Sequence, residues 1–142
     1  MPDTRPLTLV REWQDAANRR DAARLVALSD PALEVAGPRG ASHGHAALRA
    51  WLDRAGLHLA TLRAFARGDA VVLAQRGVWR DLDTGAVTGE RDLASAYRVA
   101  GGRVARVARH DDLAAALADA GLDAADEVAT QAKEASIPPS AR

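Results

Sequence analysis

Apolar residues recur at Leu9, Val10, Trp13, Ala16 and Ala17. That three-and-four spacing marks one face of a helix, so the chain opens on a helix over about residues 9–17. Asn18-Arg19-Arg20-Asp21 interrupts the stripe, and Asp21 is a suitable N-cap for a second short helix burying Leu25, Val26 and Leu28. Ser29-Asp30-Pro31 ends that helix, because the residue before proline is steered away from the α region. Residues 33–36 read as a short strand closed by Gly37-Pro38-Arg39-Gly40. A third helix over 45–55 places Leu48, Trp51, Leu52 and Ala55 on one face, with Gly56 as its C′ residue.

From Leu57 onward the spacing changes to strand-like runs near 57–66, 70–81, 91–100 and 103–110. Arg67-Gly68-Asp69, Leu82-Asp83-Thr84-Gly85 and Gly101-Gly102 join them, all with turn chemistry. Joints this short force neighbouring strands to run antiparallel. Asp112 then caps a helix over 113–120, which Gly121 stops. The Ala-rich end, closing Ile-Pro-Pro-Ser-Ala-Arg, reads as a partly helical or disordered tail. The expected organisation is a flexible N-terminus over 1–7, one domain over 8–122, and that tail over 123–142.

Composition narrows the classes. At 142 residues the chain is one domain with room for a sizeable core. Nineteen basic and nineteen acidic residues cancel, which removes the simplest support for nucleic-acid or anionic-membrane binding. Nearly all of the basic residues are Arg, a bias that a GC-rich genome explains better than guanidinium chemistry does. Without cysteine there are no disulfides, thiolate nucleophiles or Cys-ligated zinc. No apolar leader or bilayer-length stretch is present, so a soluble cytoplasmic protein is expected. No cofactor is expected either.

The order of helices, strand, helix and four-strand run resembles the NTF2-like superfamily, in its SnoaL-like and ketosteroid-isomerase-like branches. Trp13…Asn18-Arg19-Arg20-Asp21, Val35-Ala36-Gly37-Pro38, Gly44…Leu48…Trp51-Leu52, Gly68-Asp69…Val72 and Gly101-Gly102-Arg103-Val104…Asp112 carry the resemblance. It implies an α+β fold, a cone-shaped curved antiparallel sheet wrapped around N-terminal helices and enclosing a pocket. It also implies a homodimer packed through the outer face of the sheet.

The isomerase branch uses a Tyr, an Asp base and a second, protonated Asp. Aligned by the residues above, those positions fall at Trp13, Gly37 and Ser95. Glycine cannot abstract a proton, so steroid isomerisation is not expected. The related limonene-epoxide-hydrolase-like enzymes use an Asp/Arg/Asp set. Arg76 lies near that Arg, but Val78 stands where one Asp would be, and the other falls near Arg109 or His110.

Period-two alternation sorts the strands into faces. Leu93, Ser95, Tyr97 and Val99 form the more apolar set of their strand and are placed inward. In residues 70–80 the pattern alone does not decide. The resemblance puts Val72, Ala74, Arg76 and Val78 inside and Trp79 outside, with Ala105, Val107 and Arg109 inside on the last strand. A one-residue slip, or a bulge at Gly77, reverses such an assignment.

The candidate ligand-binding residues are therefore Trp13, Val35, Trp51, Arg76, Val78, Ser95, Tyr97, Val107 and Arg109. Arg76 and Arg109 facing one cavity would form a clamp for a carboxylate or enolate. The alternative is that either points to solvent or pairs with Glu34, Asp92 or Asp111. The catalytic candidates are His110, Arg76 and Tyr97, with His110 as an acid/base near the pocket mouth or a surface histidine beside a helix cap. An outward Trp79 with small Ala94 and Ala96 would make a self-complementary dimer patch. His43-Gly44-His45 has no evident third ligand and is not read as a metal site. Gly37-Pro38-Arg39-Gly40 lacks the lysine and spacing of a phosphate loop.

The reading that follows is a small-molecule-binding protein whose apolar pocket holds a few polar groups and takes a hydrophobic or anionic ligand. The alternatives are an isomerase-, cyclase- or hydrolase-type enzyme, and a dimeric interaction module with a vestigial pocket.

Overall fold

The computed structural model describes residues 4–37, 40–54 and 56–129. Helix α1 (Arg5–Asn18) begins earlier than the stripe suggests, since Pro6 sits in its first turn, where a missing N–H costs nothing. Its buried face runs Leu7, Val10, Trp13, Gln14 and Ala17. Helix α2 (Ala22–Ala27) starts where the Asp21 carboxylate accepts the Arg24 N–H, as the N-cap reading requires.

Strand β1 (Ser29–Gly37) is longer than the predicted segment and contains Pro31. Pro31 is tolerated there because the pairing register breaks between Ser29 and Glu34, so no ladder bond is lost at that residue. Strand β2 (Gly40–His43) completes a hairpin with β1, in which Glu34 faces His43 and Gly37 faces Gly40. The glycine-rich composition around residues 37–44 predicts loop here, and the pairing with β1 makes it strand. Pro38, Arg39 and Ala55 lie outside the described residues, and with them part of the glycine loop and one residue of the predicted third-helix face.

Helix α3 (His45–Arg54) is followed by β3 (Leu57–Arg67), β4 (Ala70–Arg80), β5 (Val87–Ala100) and β6 (Arg103–His110). Helix α4 (Leu113–Ala120) is capped by Asp112, which accepts the Ala115 N–H, and ends at Gly121 in the left-handed conformation. The segment after it does not prolong the helix. A 3₁₀ turn at Ala124–Asp126 leads into β7 (Glu127–Val128), which pairs with β3. The rest of the predicted tail lies outside the described residues.

The strands form one sheet in the order β2-β1-β6-β5-β4-β3-β7. The four central strands are mutually antiparallel, but β1 runs parallel to β6, so the sheet is mixed. The architecture is α+β, with the curved sheet wrapped around α1, α2 and α3. On the concave side Val10, Trp13, Leu25, Leu33, Leu48, Val71, Leu73, Tyr97 and Val104 form the main core. On the convex side α4 covers a second core of Phe65, Val72, Ala94, Ala96, Ala116 and Leu122.

This second core corrects the predicted dimer patch. Ala94 and Ala96 are buried beneath α4, and Trp79 lies on the opposite, concave face of its strand. No described helix is long and apolar enough to cross a membrane.

Candidate ligand-binding site

The cone encloses a cavity of about 270 Å³. Trp13 of α1, Val35 of β1, Ala47 and Trp51 of α3, Leu59 of β3, Ser95 and Tyr97 of β5, and Val107 and Arg109 of β6 line it. The aromatic wall is continuous. Trp13 and Trp51 stack with ring centroids 6.3 Å apart and planes 25° apart, and Tyr97 meets Trp13 edge-on at 5.8 Å. Both arrangements suit the ring quadrupoles. The indole N–H of Trp13 is committed elsewhere: it donates to Ser29 Oγ at 2.9 Å, and Ser29 donates in turn to the Leu25 carbonyl.

The polar side of the cavity is a neutral network. Tyr97 Oη donates to Gln14 Oε1 at 2.9 Å, and Gln75 Nε2 donates to the same oxygen at 3.3 Å. Ser95 Oγ donates to Gln75 Oε1 at 2.8 Å. Gln14 Nε2 donates to Asn18, whose amide is fixed by the backbone N–H and carbonyl of Leu59. Among the described residues no buried side-chain polar atom is left unsatisfied. Burial pushes the Tyr97 phenol up to about 12, so it stays protonated and donates. Gln14 and Gln75 were not singled out from the sequence. A readable signal exists for each, since Gln14 falls inside the Val10–Ala17 stripe and Gln75 continues the Val71, Leu73 alternation.

Of the predicted site residues, Trp13, Val35, Trp51, Ser95, Tyr97, Val107 and Arg109 converge on the cavity. Arg76 and Val78 do not. In β4 it is Val71, Leu73, Gln75, Gly77 and Trp79 that face the concave side, one residue out of step with the predicted face. The reason is electrostatic. Outside, Arg76 reaches Glu90 and Asp92 of β5, each at 3.1 Å, whereas inside it would have been a buried cation among neutral groups. Ala105 is corrected as well: the register shifts between Arg98 and Val99, which puts Val104 rather than Ala105 in the core.

His110 does not line the cone. Its imidazole bonds Asp119 of α4 at 3.0 Å, in a cluster that Arg106 completes at 2.8 Å. Burial opposes the Asp119 charge, but the hydrogen bonds from Arg106 and His110 prevail and hold its pKa below the ordinary value. His45 contacts the Ser29 carbonyl at 3.1 Å, while His43 is exposed on β2. Among the described residues no three His, Asp or Glu side chains converge as a metal ion would require.

Arg109 stands apart from the neutral network. It lines the cavity and also an adjoining crevice formed by Trp79, Arg91, Leu93, Asp111 and the predicted mouth residue His110. It is half-buried, and among the described residues no ion-pair or hydrogen-bond partner reaches its guanidinium. Burial and the nearby charge of Arg91 lower its pKa, which Asp111 only partly offsets.

Comparison with known proteins agrees with this geometry. A family model described as a SnoaL-like domain matches residues 10–107. Among solved structures, an NTF2-like protein from Burkholderia xenovorans is 25% identical, with a TM-score of 0.65 over 84% of this chain and 98% of that one. TerC, co-crystallised with polyporic acid, is 19% identical, with a TM-score of 0.66 over 82% and 97%. A protein of ketosteroid-isomerase-like fold from Catenulispora acidiphila, in complex with trimethylamine, is 18% identical, with a TM-score of 0.63 over 82% and 95%. No curated protein matches the sequence.

Proposed function

Because this chain belongs to the SnoaL-like domain family and folds around a lined cavity, we propose that it binds a small, largely apolar molecule inside the cone without acting on it by proton abstraction. One observation carries this reading. The polar groups against the cavity are amides, hydroxyls and one arginine, with no carboxylate or imidazole among the described lining residues. An apolar cleft with a few fixed polar groups is what orients a small molecule. A general base must sit within hydrogen-bond reach of the proton it removes. Tyr97, held protonated by burial, cannot be that base at ordinary pH. Two fold relatives, one co-crystallised with polyporic acid and one in complex with trimethylamine, support the reading.

Tryptophan fluorescence tests it directly. Trp13 and Trp51 line the cavity and Trp79 lies outside it, so a Trp79→Phe variant reports mainly on the cone. Saturable quenching by a neutral probe such as 2-naphthol is expected to survive in that variant. Tyr97→Phe should weaken it roughly three- to tenfold, the worth of one neutral hydrogen bond. Quenching that disappears with Trp79 would remove the support for this site.

A further inference from the structure

Several arginines of this chain are held in ion pairs, while others, such as Arg98 and Arg103, stand exposed to water. Arg63 holds Glu127, Arg67 holds Asp126, and Arg76 bridges Glu90 and Asp92. Arg91 holds Asp111, and Arg106 holds Asp119 with Glu34 alongside. These pairs lie on surfaces where water would have screened the charge anyway. Arg109, half-buried beside the cavity, is the place where a counter-charge would matter most. There, among the described residues, no carboxylate reaches it as an ion pair, and Asp111, held by Arg91, offsets its charge only in part.

Resting on the cavity being the ligand site, we propose that the ligand is a small organic acid: a flat apolar body of one or two rings carrying a single carboxylate that pairs with Arg109. A partly desolvated cation without a partner is costly, and an arriving anion removes that cost. The neighbouring Arg91 raises the local positive potential while its own guanidinium stays with Asp111. A planar fork of N–H donors matches a carboxylate in a two-point contact. One unpaired cation matches one negative charge, which disfavours a dianionic phosphate.

The body of the ligand follows from the walls. The Trp13–Trp51 stack gives a flat apolar surface, and Tyr97 closes it edge-on. The cavity's volume of about 270 Å³ gives room for a body of one or two rings. Arg109 faces Ser95 across the β5–β6 ladder, so the acid group sits beside the neutral network and the rings lie against the tryptophans.

The experiment compares 2-naphthoate with its neutral amide, 2-naphthamide, by titration calorimetry at pH 7.5 on the wild type, Arg109→Met, Arg109→Lys and Arg76→Met. The expected result is an acid-over-amide preference of about tenfold or more, in line with a hydrogen bond to a charged group. That preference falls with added salt, disappears in Arg109→Met, is partly kept in Arg109→Lys and is unchanged in Arg76→Met. Thermal melts accompany each variant, and Arg109→Met is expected to melt no lower than the wild type, because it removes an unpaired cation. If Arg109→Met does not fold, Arg109→Lys decides the matter by losing part of the preference. Equal binding of acid and amide, or a preference untouched at Arg109, overturns the proposal and leaves the cavity reading standing. Binding of neither compound overturns both.

Discussion

Gln75 and Arg76 are neighbours in the chain with opposite fates, and their difference defines the site. Gln75 turns inward as a neutral hydrogen-bond relay, and Arg76 turns outward to two carboxylates. Alternation in β4 is ambiguous because each face carries both apolar and polar residues, so the sequence alone could not orient the strand. Charge balance could have done so, given that Glu90 and Asp92 sit one strand away. Tyr97 and Ser95 were legible because their strand has one clearly apolar face. Gly56 shows a second kind of hidden constraint. It is not the left-handed helix terminator that its position suggests; instead its missing Cβ leaves room for the backbone carbonyl of Arg80. Gly56→Ala is therefore expected to destabilise the fold by about 1–3 kcal/mol, the usual range for overpacking. Chemical denaturation checks this, and an unchanged midpoint would show that the junction can relax.

At the scale of elements, α4 is the addition that the four-strand reading did not place. Asp112 and Gly121 mark its ends in the sequence, but nothing local says which surface it covers. Its contact is with the convex face, through Ala116 against Ala94 and Ala96. The Arg106–Asp119–His110 cluster ties the helix to β6. The lowered pKa of Asp119 gives this tie a pH sign. Its contribution is complete above the ordinary aspartate value near 3.8 and is lost as the pH falls through the lowered folded value. Thermal melts between pH 2 and 6 should therefore show an acid-side loss that Asp119→Asn reduces, by less than about 1 kcal/mol for so accessible a group. Identical acid slopes in the two proteins would mean that apolar packing alone seats α4. The short strands β2 and β7 were missed for a related reason: pairing partners far along the chain make them strands, not their own composition.

At the scale of the molecule, the order of elements carried the fold, because helices followed by short-jointed strands leave few ways to bury both faces. The parallel β1–β6 contact lay beyond local reading, since it joins segments about seventy residues apart. The sheet order also divides the cavity wall into unequal halves. Ser95 and Tyr97 stand on β5, backed by Gln75 of β4, and both strands have neighbours on both sides and packed layers on both faces. Val35, Ala41 and Ser42 stand on the β1–β2 hairpin, at the rim of the sheet. Fluctuation is set by how many neighbours must be broken at once. Amide exchange should accordingly be slowest in β4 and β5 and fastest in β2, and saturation with a bound acid should slow the hairpin most. On the proposed reading, that exchange pattern would make the cone a fixed mould with one breathing side, and the residence time of a guest would follow how often that side opens.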